Sequence, residues 1–335
     1  MLDDTRVIDV HHHFLPRAVY DALKAEAGGG VRLVNDRISI TLRDELCSVE
    51  AHLRTMDEGR VDAAILTYSG VSILGMATCR ALNDGFAEIQ QQNRGRLYGA
   101  VHVALEEPAQ GPAELERGVR ELGLVAIALP TSAGSVVLDD KSLGPIWRKI
   151  QELDVPVILH PALLPQGFTT DYGLERSCGR PFDTTLAAVR IMNAVFPEFP
   201  NLKFVLPHLG GTSVFLRGRI SMISFEPPDF AIPPEKRQIA KTQREQRALG
   251  LDKAFEERWS KFYFDTAGTG GWAPAVEMTA AVVTPQRMVF GSDYPLESTS
   301  GATVGELVDM IGNLRLDVGD RRAIAGETAA SLFRL

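Results

Sequence analysis

The feature that most constrains the fold is a series of eight short apolar segments, most of them followed by a helical pattern. Most are continuous apolar runs, which is typical of parallel strands buried on both faces. Eight such strands alternating with helices predict either a doubly wound open sheet or a closed (β/α)8 barrel. The expected strands are Val7–Val10, Ala63–Thr67, Tyr98–Val103, Leu124–Leu129, Val155–Leu159, Lys203–Leu206, Phe262–Phe264 and Met288–Phe290.

The motifs that mark many open nucleotide-binding sheets are missing from this sequence. There is no GxGxxG after the first strand and no GxxxxGK followed by Ser or Thr. A chain of 335 residues is an ordinary length for a barrel that forms one domain. We therefore expect an α/β fold, a single (β/α)8 TIM barrel over residues 1–335.

Two connections in this barrel are longer than a simple turn and are expected to be insertions. They cover about residues 14–47 after strand one and about 209–261 after strand six. The first holds a predicted hairpin at Val31–Leu42, and the second a predicted helix at Glu235–Lys261. Insertions of this kind usually cover an active site or build an interface.

Charge, hydropathy and cysteine content limit the classes of partner and compartment. The chain has 35 Lys and Arg against 43 Asp and Glu, a net charge of −8, with no basic run. Nucleic acid and membranes are therefore not expected as partners. No apolar stretch approaches the roughly 20 residues that span a bilayer, and the N-terminus lacks a signal-peptide pattern. The three cysteines have no CxxC spacing, so a reduced, cytoplasmic protein is expected.

Residue types that bind metals stand at the ends of several predicted strands. Strand one ends in three histidines. Because residues two apart in a strand face the same side, His11 and His13 can both point inward while His12 points elsewhere. Strands five, six and eight end in His160, His208 and Asp293. In a closed barrel these C-terminal ends meet at one mouth, where barrel enzymes place their catalytic residues.

Four histidines and one aspartate thus reach the same mouth, a group of donors that could hold a metal ion. Three neutral imidazoles and one carboxylate suit Zn²⁺, and Mn²⁺ or Fe²⁺ could also be held. A single histidine at a strand end is more often structural, but the coincidence of these strand ends is not typical of structural residues. His52 lies on a predicted helix and His102 inside an apolar strand, so we interpret both as structural.

The motifs at these strand ends resemble those of the amidohydrolase superfamily. Within it, they are most similar to the branch that contains the aminocarboxymuconate semialdehyde, γ-resorcylate and 6-methylsalicylate decarboxylases. The matching segments run along nearly the whole barrel: IDVHHHFLP at 8–16, LHP at 159–161, FDTT at 182–185, FPNLKFVLPHLGG at 199–211, FYFDTA at 262–267 and FGSDYP at 290–295.

This resemblance implies a role for each residue at the mouth. It implies that His208 is a general acid or base, and that Arg43 and Arg219 bind substrate carboxylates, one of them across the interface of a homodimer or higher homo-oligomer. Superfamily members with two metals usually carry a lysine at strand four, and its absence here favours a single ion. The ligands of that ion, by the resemblance, are His11, His13, His160 and Asp293.

The leading functional hypothesis is a metal-dependent nonoxidative decarboxylase of a small aromatic or unsaturated acid, either salicylate-like or muconate-like. The substrate would be a small anionic molecule, and His208 or Asp293 would take part in protonating the carbon that loses CO2. We expect Asp265 to contact His208 or to line the site, as a partner of a ligand histidine.

Two alternatives remain open at this point. The same site could hydrolyse a lactone or add water to an unsaturated dicarboxylate, and neither fold nor ligands discriminate between these reactions. A protein of another class, a non-catalytic metal-binding barrel, would have a filled coordination sphere. His208 beside the ligand set argues against that alternative, since a purely structural site has no need of it.

Overall fold

A computed structural model of the chain contains one sheet of eight parallel strands, arranged in chain order. It describes residues 2, 5–30, 32–34, 39–162, 169, 171–225, 234–236, 238, 245 and 254–335. The strands are β1 (Ile8–His13), β2 (Ala63–Thr67), β3 (Leu97–His102), β4 (Ala126–Pro130), β5 (Val157–His160), β6 (Phe204–Leu206), β7 (Phe262–Asp265) and β8 (Met288–Val289).

Backbone hydrogen bonds join β1 to the segment at and after β8. Val10 N donates to Phe290 O at 2.9 Å, and His13 N donates to Tyr294 O at 2.7 Å. Asp293 N donates to the carbonyl of a β1 histidine, His11, at 2.9 Å. These bonds close the sheet into a barrel, which confirms the predicted fold class and excludes the doubly wound sheet.

Apolar side chains fill the inside of the barrel. Residues of seven strands form this inner core, with alanines frequent in β2, β3 and β4, and the partly buried Tyr263 of β7 packs against it. The burial of the inner-core residues is complete or nearly so, and the barrel is a packed core and not a pore. The strand members are Ile8, Val10, Ala63, Ile65, Ala100, Ala126, Ala128, Ile158, Val205 and Val289.

Helices surround the sheet and bury the other strand face in a second apolar cluster. Ser48 caps the helix Val49–Gly59 by accepting a hydrogen bond from Ala51 N, and Ser300 forms a capping box with Thr303 at the start of the helix Gly301–Gly312. The helices are α1 (Arg17–Glu26), α2 (Val49–Gly59), α3 (Met76–Gln92), α4 (Gly111–Glu116), α5 (Gly144–Leu153), α6 (Arg180–Arg190), α7 (Arg217–Ile220), α8 (Ala254–Trp259), α9 (Ala273–Val283), α10 (Gly301–Gly312), α11 (Val318–Arg322) and α12 (Thr328–Phe333).

The structures of the two insertions match the predicted elements only in part. In the first, Arg32–Val34 pairs antiparallel with Ser39–Thr41, so the hairpin is confirmed over its described residues. The same insertion contains α1, which the sequence analysis did not anticipate. Most of the helix predicted at Glu235–Lys261 lies outside the described residues, and its described C-terminal part is helical only to Trp259.

None of the helices in the described ranges has both the length and the apolar character needed to cross a lipid bilayer.

Candidate metal centre

A β-bulge in β1 turns two histidines into the barrel. Asp9 pairs with Ala64 of β2, but His12 pairs with Leu66, so β1 holds one extra residue. Before the bulge Ile8 and Val10 belong to the inner core. Strict alternation would continue with His12, but the extra residue brings the neighbouring histidines inward instead, and His12 turns away as predicted.

Asp9 stabilises this bulge and ties it to the loop after β8. Its Oδ1 accepts hydrogen bonds from the backbone N–H groups of His11 (3.1 Å) and Ser292 (3.0 Å). Its Oδ2 accepts from Ser292 Oγ (2.5 Å) and lies 2.8 Å from His12 Nδ1. Because Ser292 directly precedes Asp293, one buried carboxylate fixes both parts of the chain that carry the candidate ligands.

The two histidines interpreted as structural have contacts of that kind. His52 on α2 contacts two groups. The Nδ1 atom of His52 lies 2.8 Å from His12 Nε2, and the Nε2 atom of His52 donates to the carbonyl of Glu45 at 2.9 Å. His102 on β3 donates from Nδ1 to Ala100 O at 3.0 Å and accepts from Tyr68 N at 3.0 Å. Both rings are fully buried, and their nitrogens are engaged within the fold.

The metal-ligating nitrogen and oxygen atoms at the mouth lie so close together that we expect them to share a partner. His11 Nε2 is 3.2 Å from His13 Nε2, which in turn is 2.9 Å from Asp293 Oδ1. The donors of His11, His13 and His160 all lie within 4.8 Å of one another. Two ligands bonded at about 2.1 Å to one ion are roughly 3 Å apart, so this spacing fits a common ion.

Several of these atoms are buried without a hydrogen-bond partner in the described part of the chain. They are His160 Nε2, His208 Nε2 and Asp293 Oδ1. An unsatisfied buried polar atom costs about 1–3 kcal/mol, so three in one place call for a common partner. Asp293 Oδ1 makes no hydrogen bond with a described residue, although His13 Nε2 lies 2.9 Å from it. The lone pairs of these two atoms are therefore directed at a shared point and not at each other.

The second ring nitrogen of each candidate ligand histidine is directed to an oxygen. His11 Nδ1 lies 2.7 Å from Asp265 Oδ2, and His160 Nδ1 lies 2.9 Å from Pro161 O. His13 Nδ1 makes a longer contact, 3.4 Å, with Thr67 O. An oxygen acceptor places the proton on Nδ1, so the Nε2 lone pair of each ring is free to bind an ion.

The charges at the site also favour a cation. Burial lowers the pKa of His13, and burial and the neighbouring histidines hold the pKa of His160 well below its usual range, so both rings are neutral near pH 7. Burial opposes ionisation of Asp293, but its contacts with His13 and His208 outweigh burial and hold its pKa well below the usual range. Neutral imidazoles and an ionised carboxylate are the forms that ligate metals.

Asp265, at the end of β7, supports two residues of the site at once, which extends the contact expected from the sequence. Its Oδ2 faces His11 Nδ1, and its Oδ1 accepts hydrogen bonds from His208 N (2.8 Å) and Ala267 N (3.1 Å). It is fully buried. Burial lowers the pKa of His11, but the charge and hydrogen bond of Asp265 outweigh burial and raise that pKa to about 9, so an ion that binds His11 Nε2 near pH 7 would displace a proton.

We expect Asp265→Asn to weaken metal binding by roughly 10–100-fold while the fold is kept. The amide oxygen can still accept from the backbone N–H groups of His208 and Ala267. The amide nitrogen would instead face His11 Nδ1 and favour the tautomer with its proton on Nε2, where the ion binds. Chelator competition would measure the affinity, with the exposed Asp317→Asn variant as the control. Unchanged affinity in Asp265→Asn would contradict this role.

The structure brings His208 to the candidate ligands. His208 follows β6 in a left-handed conformation, with φ 54°, and its Nε2 lies 3.6 Å from Asp293 Oδ2. The donors of His208, Asp293 and His11 lie within 4.8 Å of one another. His208 is therefore placed where it could act as the acid or base implied by the resemblance, and it is also close enough to be a ligand.

The two candidate substrate-binding arginines lie further out than the histidines. Arg43 is exposed and donates from a guanidinium nitrogen to Pro295 O at 3.3 Å, two residues after Asp293. Arg219 is exposed on α7, and within the described residues it has no hydrogen bond or ion pair. The structure thus places Arg43 beside the loop after β8 and does not bring Arg219 into contact with the site of the same chain.

Asp183, for which the sequence predicts no role, fixes the loop that carries His160. Asp183 Oδ2 accepts hydrogen bonds from Thr131 Oγ1 (2.6 Å) and Ala162 N (2.9 Å). It therefore links the end of β4 to the turn just after His160. Its position in the FDTT segment was a signal for the family but not for this contact.

The fold and the cluster define a (β/α)8-barrel protein whose polar donors gather at the C-terminal mouth. The sequence model of the amidohydrolase family matches residues 8–335, and the chain belongs to this family. The match covers the whole barrel, so the resemblance stated from the motifs is confirmed.

Individual relatives agree with this assignment. The γ-resorcylate decarboxylase of Polaromonas sp. strain JS666 is 26% identical over 350 residues, 98% of each chain. The 5-carboxyvanillate decarboxylase of Sphingomonas paucimobilis has the same fold, with a TM-score of 0.79 and 22% identity over 99% of this chain and all of that one. A dihydroxybenzoic acid decarboxylase from Polaromonas sp. JS666, solved with manganese and 2-nitroresorcinol, superposes with a TM-score of 0.73 and 23% identity over 99% of this chain and 97% of that one.

Proposed function

We propose that this protein is a metal-dependent nonoxidative decarboxylase of a small aromatic acid with a hydroxyl group beside the carboxylate that is lost. The observation that carries this proposal is the convergence of metal-ligating donors from four strand ends, of which His160 Nε2, His208 Nε2 and Asp293 Oδ1 are buried without a hydrogen-bond partner among the described residues. The relatives named for decarboxylation of hydroxylated benzoates support the aromatic substrate over the muconate-like one.

The residues present fit one divalent ion, held by His11, His13, His160 and Asp293. When bound, the ion would act as a Lewis acid that stabilises negative charge on the oxygens of the acid. We propose Zn²⁺ or Mn²⁺. Zn²⁺ suits the three imidazoles and one carboxylate, and Mn²⁺ is the ion named with a relative of the same fold.

The remaining steps use the chain's own side chains. The decarboxylation adds a proton to the ring carbon that bears the carboxylate, breaks the C–C bond, and returns its electron pair to the ring as CO2 leaves. We assign the proton transfer to His208 and Asp293, and the 3.6 Å separation of His208 Nε2 and Asp293 Oδ2 supports this assignment. Both are buried, so bulk water does not compete for the transferred proton.

We further propose that Arg43 and Arg219 bind anionic groups of the substrate and that the protein forms a homodimer or higher homo-oligomer in the cytoplasm. The unpaired state of all three cysteines fits a reduced compartment. Beside Arg219, α6 and the loop after β6 are joined by a Thr185–Thr212 hydrogen bond of 2.8 Å. They expose large apolar side chains, a feature typical of interfaces: Phe182, Leu186 and Phe215.

If Arg219 acts on the site of a neighbouring subunit, subunits that lack Arg219 and subunits that lack His208 should complement each other. We expect Arg219→Ala and His208→Asn proteins, each inactive alone, to regain about a quarter of wild-type activity when mixed and reassembled. Half of the resulting dimers are hybrids, and each hybrid holds one intact site of two. Activity of the mixture is the readout, with each variant reassembled alone as the control. Verified hybrids without activity would show that Arg219 acts within its own chain or not at all.

The test of the proposed function is CO2 release from a panel of acids by the Zn²⁺- and Mn²⁺-loaded protein. The panel holds ortho-hydroxybenzoates, aminocarboxymuconate semialdehyde and a pyrone lactone, with Asp293→Asn as the blank. We expect CO2 from at least one hydroxybenzoate and none in the blank. Loss of the lactone without CO2 would place the protein among the hydrolases and contradict the proposal.

A further inference from the structure

Arg180, the first residue of α6, sits over the mouth of the barrel. The start of α6 is held from two sides: Asp183 binds the turn after β5, and Pro181 packs so closely on Gly211, after β6, that a side chain at Gly211 would lie 2.1 Å from Pro181 O. The first turn of α6 is therefore fixed between the strand ends that carry His160 and His208.

Among the described residues, no carboxylate forms an ion pair with the guanidinium of Arg180. The side chain is half-buried, and within the described part of the chain no hydrogen bond or ion pair of its guanidinium is present. Arg217 is also half-buried but differs from Arg180 because it binds Glu256 at 2.5 Å. A cation held partly out of water without a counterion is costly, so its retention at a mouth calls for an anionic ligand.

The charge of Arg180 reaches side chains on three sides of the mouth. Burial is the largest cause that lowers the pKa of His160, and the charges of two histidines and Arg180 add to it. Burial and Asp293 raise the pKa of Tyr68 at the end of β2, whereas Arg180 opposes them. Burial and Asp293 also raise the pKa of Glu297 after β8, and Arg180 is again among the opposing charges. Tyr68, His160 and Glu297 stand at or after the C-terminal ends of β2, β5 and β8, and the first turn of α6 is fixed at this same end of the barrel.

We propose that Arg180 binds a second carboxylate on the substrate ring, one that is retained in the product. This inference rests on the proposed decarboxylase function and names its substrate class, a hydroxybenzoate with two carboxylates.

The partial burial of Arg180 indicates which of the two substrate carboxylates it binds. The candidate metal ligands on β1 and after β8 are fully buried, whereas Arg180 is half-buried and belongs to a helix of the layer around the sheet. A guanidinium on the carboxylate that leaves would stabilise the ground state and oppose formation of neutral CO2. A planar guanidinium binds a carboxylate through two parallel hydrogen bonds, so it would fix the far end of the ring and orient the reacting end.

A pair of unreactive analogues tests this without depending on turnover. A nitro group has the shape of a carboxylate but cannot leave as CO2. 2-Nitrophenol therefore represents a substrate with one carboxylate, and 4-hydroxy-3-nitrobenzoate represents one with the second carboxylate added. Titration calorimetry with Mn²⁺-loaded wild type, Arg180→Gln and Arg180→Lys would give the six affinities. Arg176→Gln, an exposed arginine one turn earlier in the chain, is the matched control.

We expect Arg180→Gln to weaken 4-hydroxy-3-nitrobenzoate by about 10–100-fold and 2-nitrophenol by less than about threefold, because a charge-assisted hydrogen bond contributes about 1.5–3 kcal/mol. Arg180→Lys should keep part of the affinity, and Arg176→Gln should bind as wild type. Equal weakening of both analogues, or of neither, would overturn the inference and leave the decarboxylase proposal intact. If wild type binds neither analogue, both the inference and the proposed substrate class are wrong.

Discussion

Asp293→Asn is expected to lower kcat/KM by at least about 1,000-fold and to weaken binding of the divalent ion. The carboxylate is both a proposed ligand and a proposed proton-transfer group, and general acid–base catalysis alone contributes about 10²–10⁴-fold. Asn has the same shape and tolerates the left-handed backbone of Asp293, which has φ 55°. The substitution therefore removes the charge without an expected change of the loop conformation.

The measurement for Asp293→Asn combines steady-state kinetics with metal content after dialysis. Asp317→Asn is the matched control, because Asp317 is exposed and its side chain does not cap the helix that follows it. Turnover within tenfold of wild type, with a full complement of metal, would contradict the assignment of Asp293 as ligand and catalytic group.

His208→Asn is expected to lower kcat by about 10²–10⁴-fold while metal content stays within about twofold of wild type. The reason is that His208 is proposed to transfer the proton and not to bind the ion. Asn is again the suitable replacement, since His208 also has a left-handed φ, 54°. Its backbone N–H would still donate to Asp265, which keeps the loop after β6 in place.

The structure makes the metal content of His208→Asn decisive. His208 Nε2 is buried and unpartnered, like His160 Nε2, and lies within ligand distance of His11 and Asp293 donors. His13→Asn serves as the reference for loss of a ligand. If His208→Asn loses the ion to the same extent as His13→Asn, His208 belongs to the ligand set and the proton must come from another group.

The barrel could be predicted from the sequence because its determinants are local. Strands buried on both faces leave continuous apolar runs, and Ala63–Thr67 was bounded as observed. The apolar run Val7–Val10 marks only the start of the first strand, and the three histidines that follow it extend the strand to His13. α1 was missed because it lies in a long insertion, where no neighbouring strand signals a helix.

The site could be predicted in its residue types but not in its supporting contacts. Spacing alone places His11 and His13 on one side of a strand. It does not reveal the bulge at Asp9, because the extra residue is defined only by pairing with β2. The hydrogen bonds of Asp183 and the position of Arg180 depend on how α6 packs between two loops, and that packing joins residues distant in sequence.

The most direct test of the central claim is a single turnover experiment in D2O with a hydroxybenzoate labelled with ¹³C in its carboxylate. The decarboxylase account predicts one equivalent of ¹³CO2 and one deuterium at the vacated ring carbon, with neither formed by Asp293→Asn. Product that keeps the ¹³C label, with water added elsewhere, would contradict decarboxylation and assign this metal centre to hydrolysis or hydration.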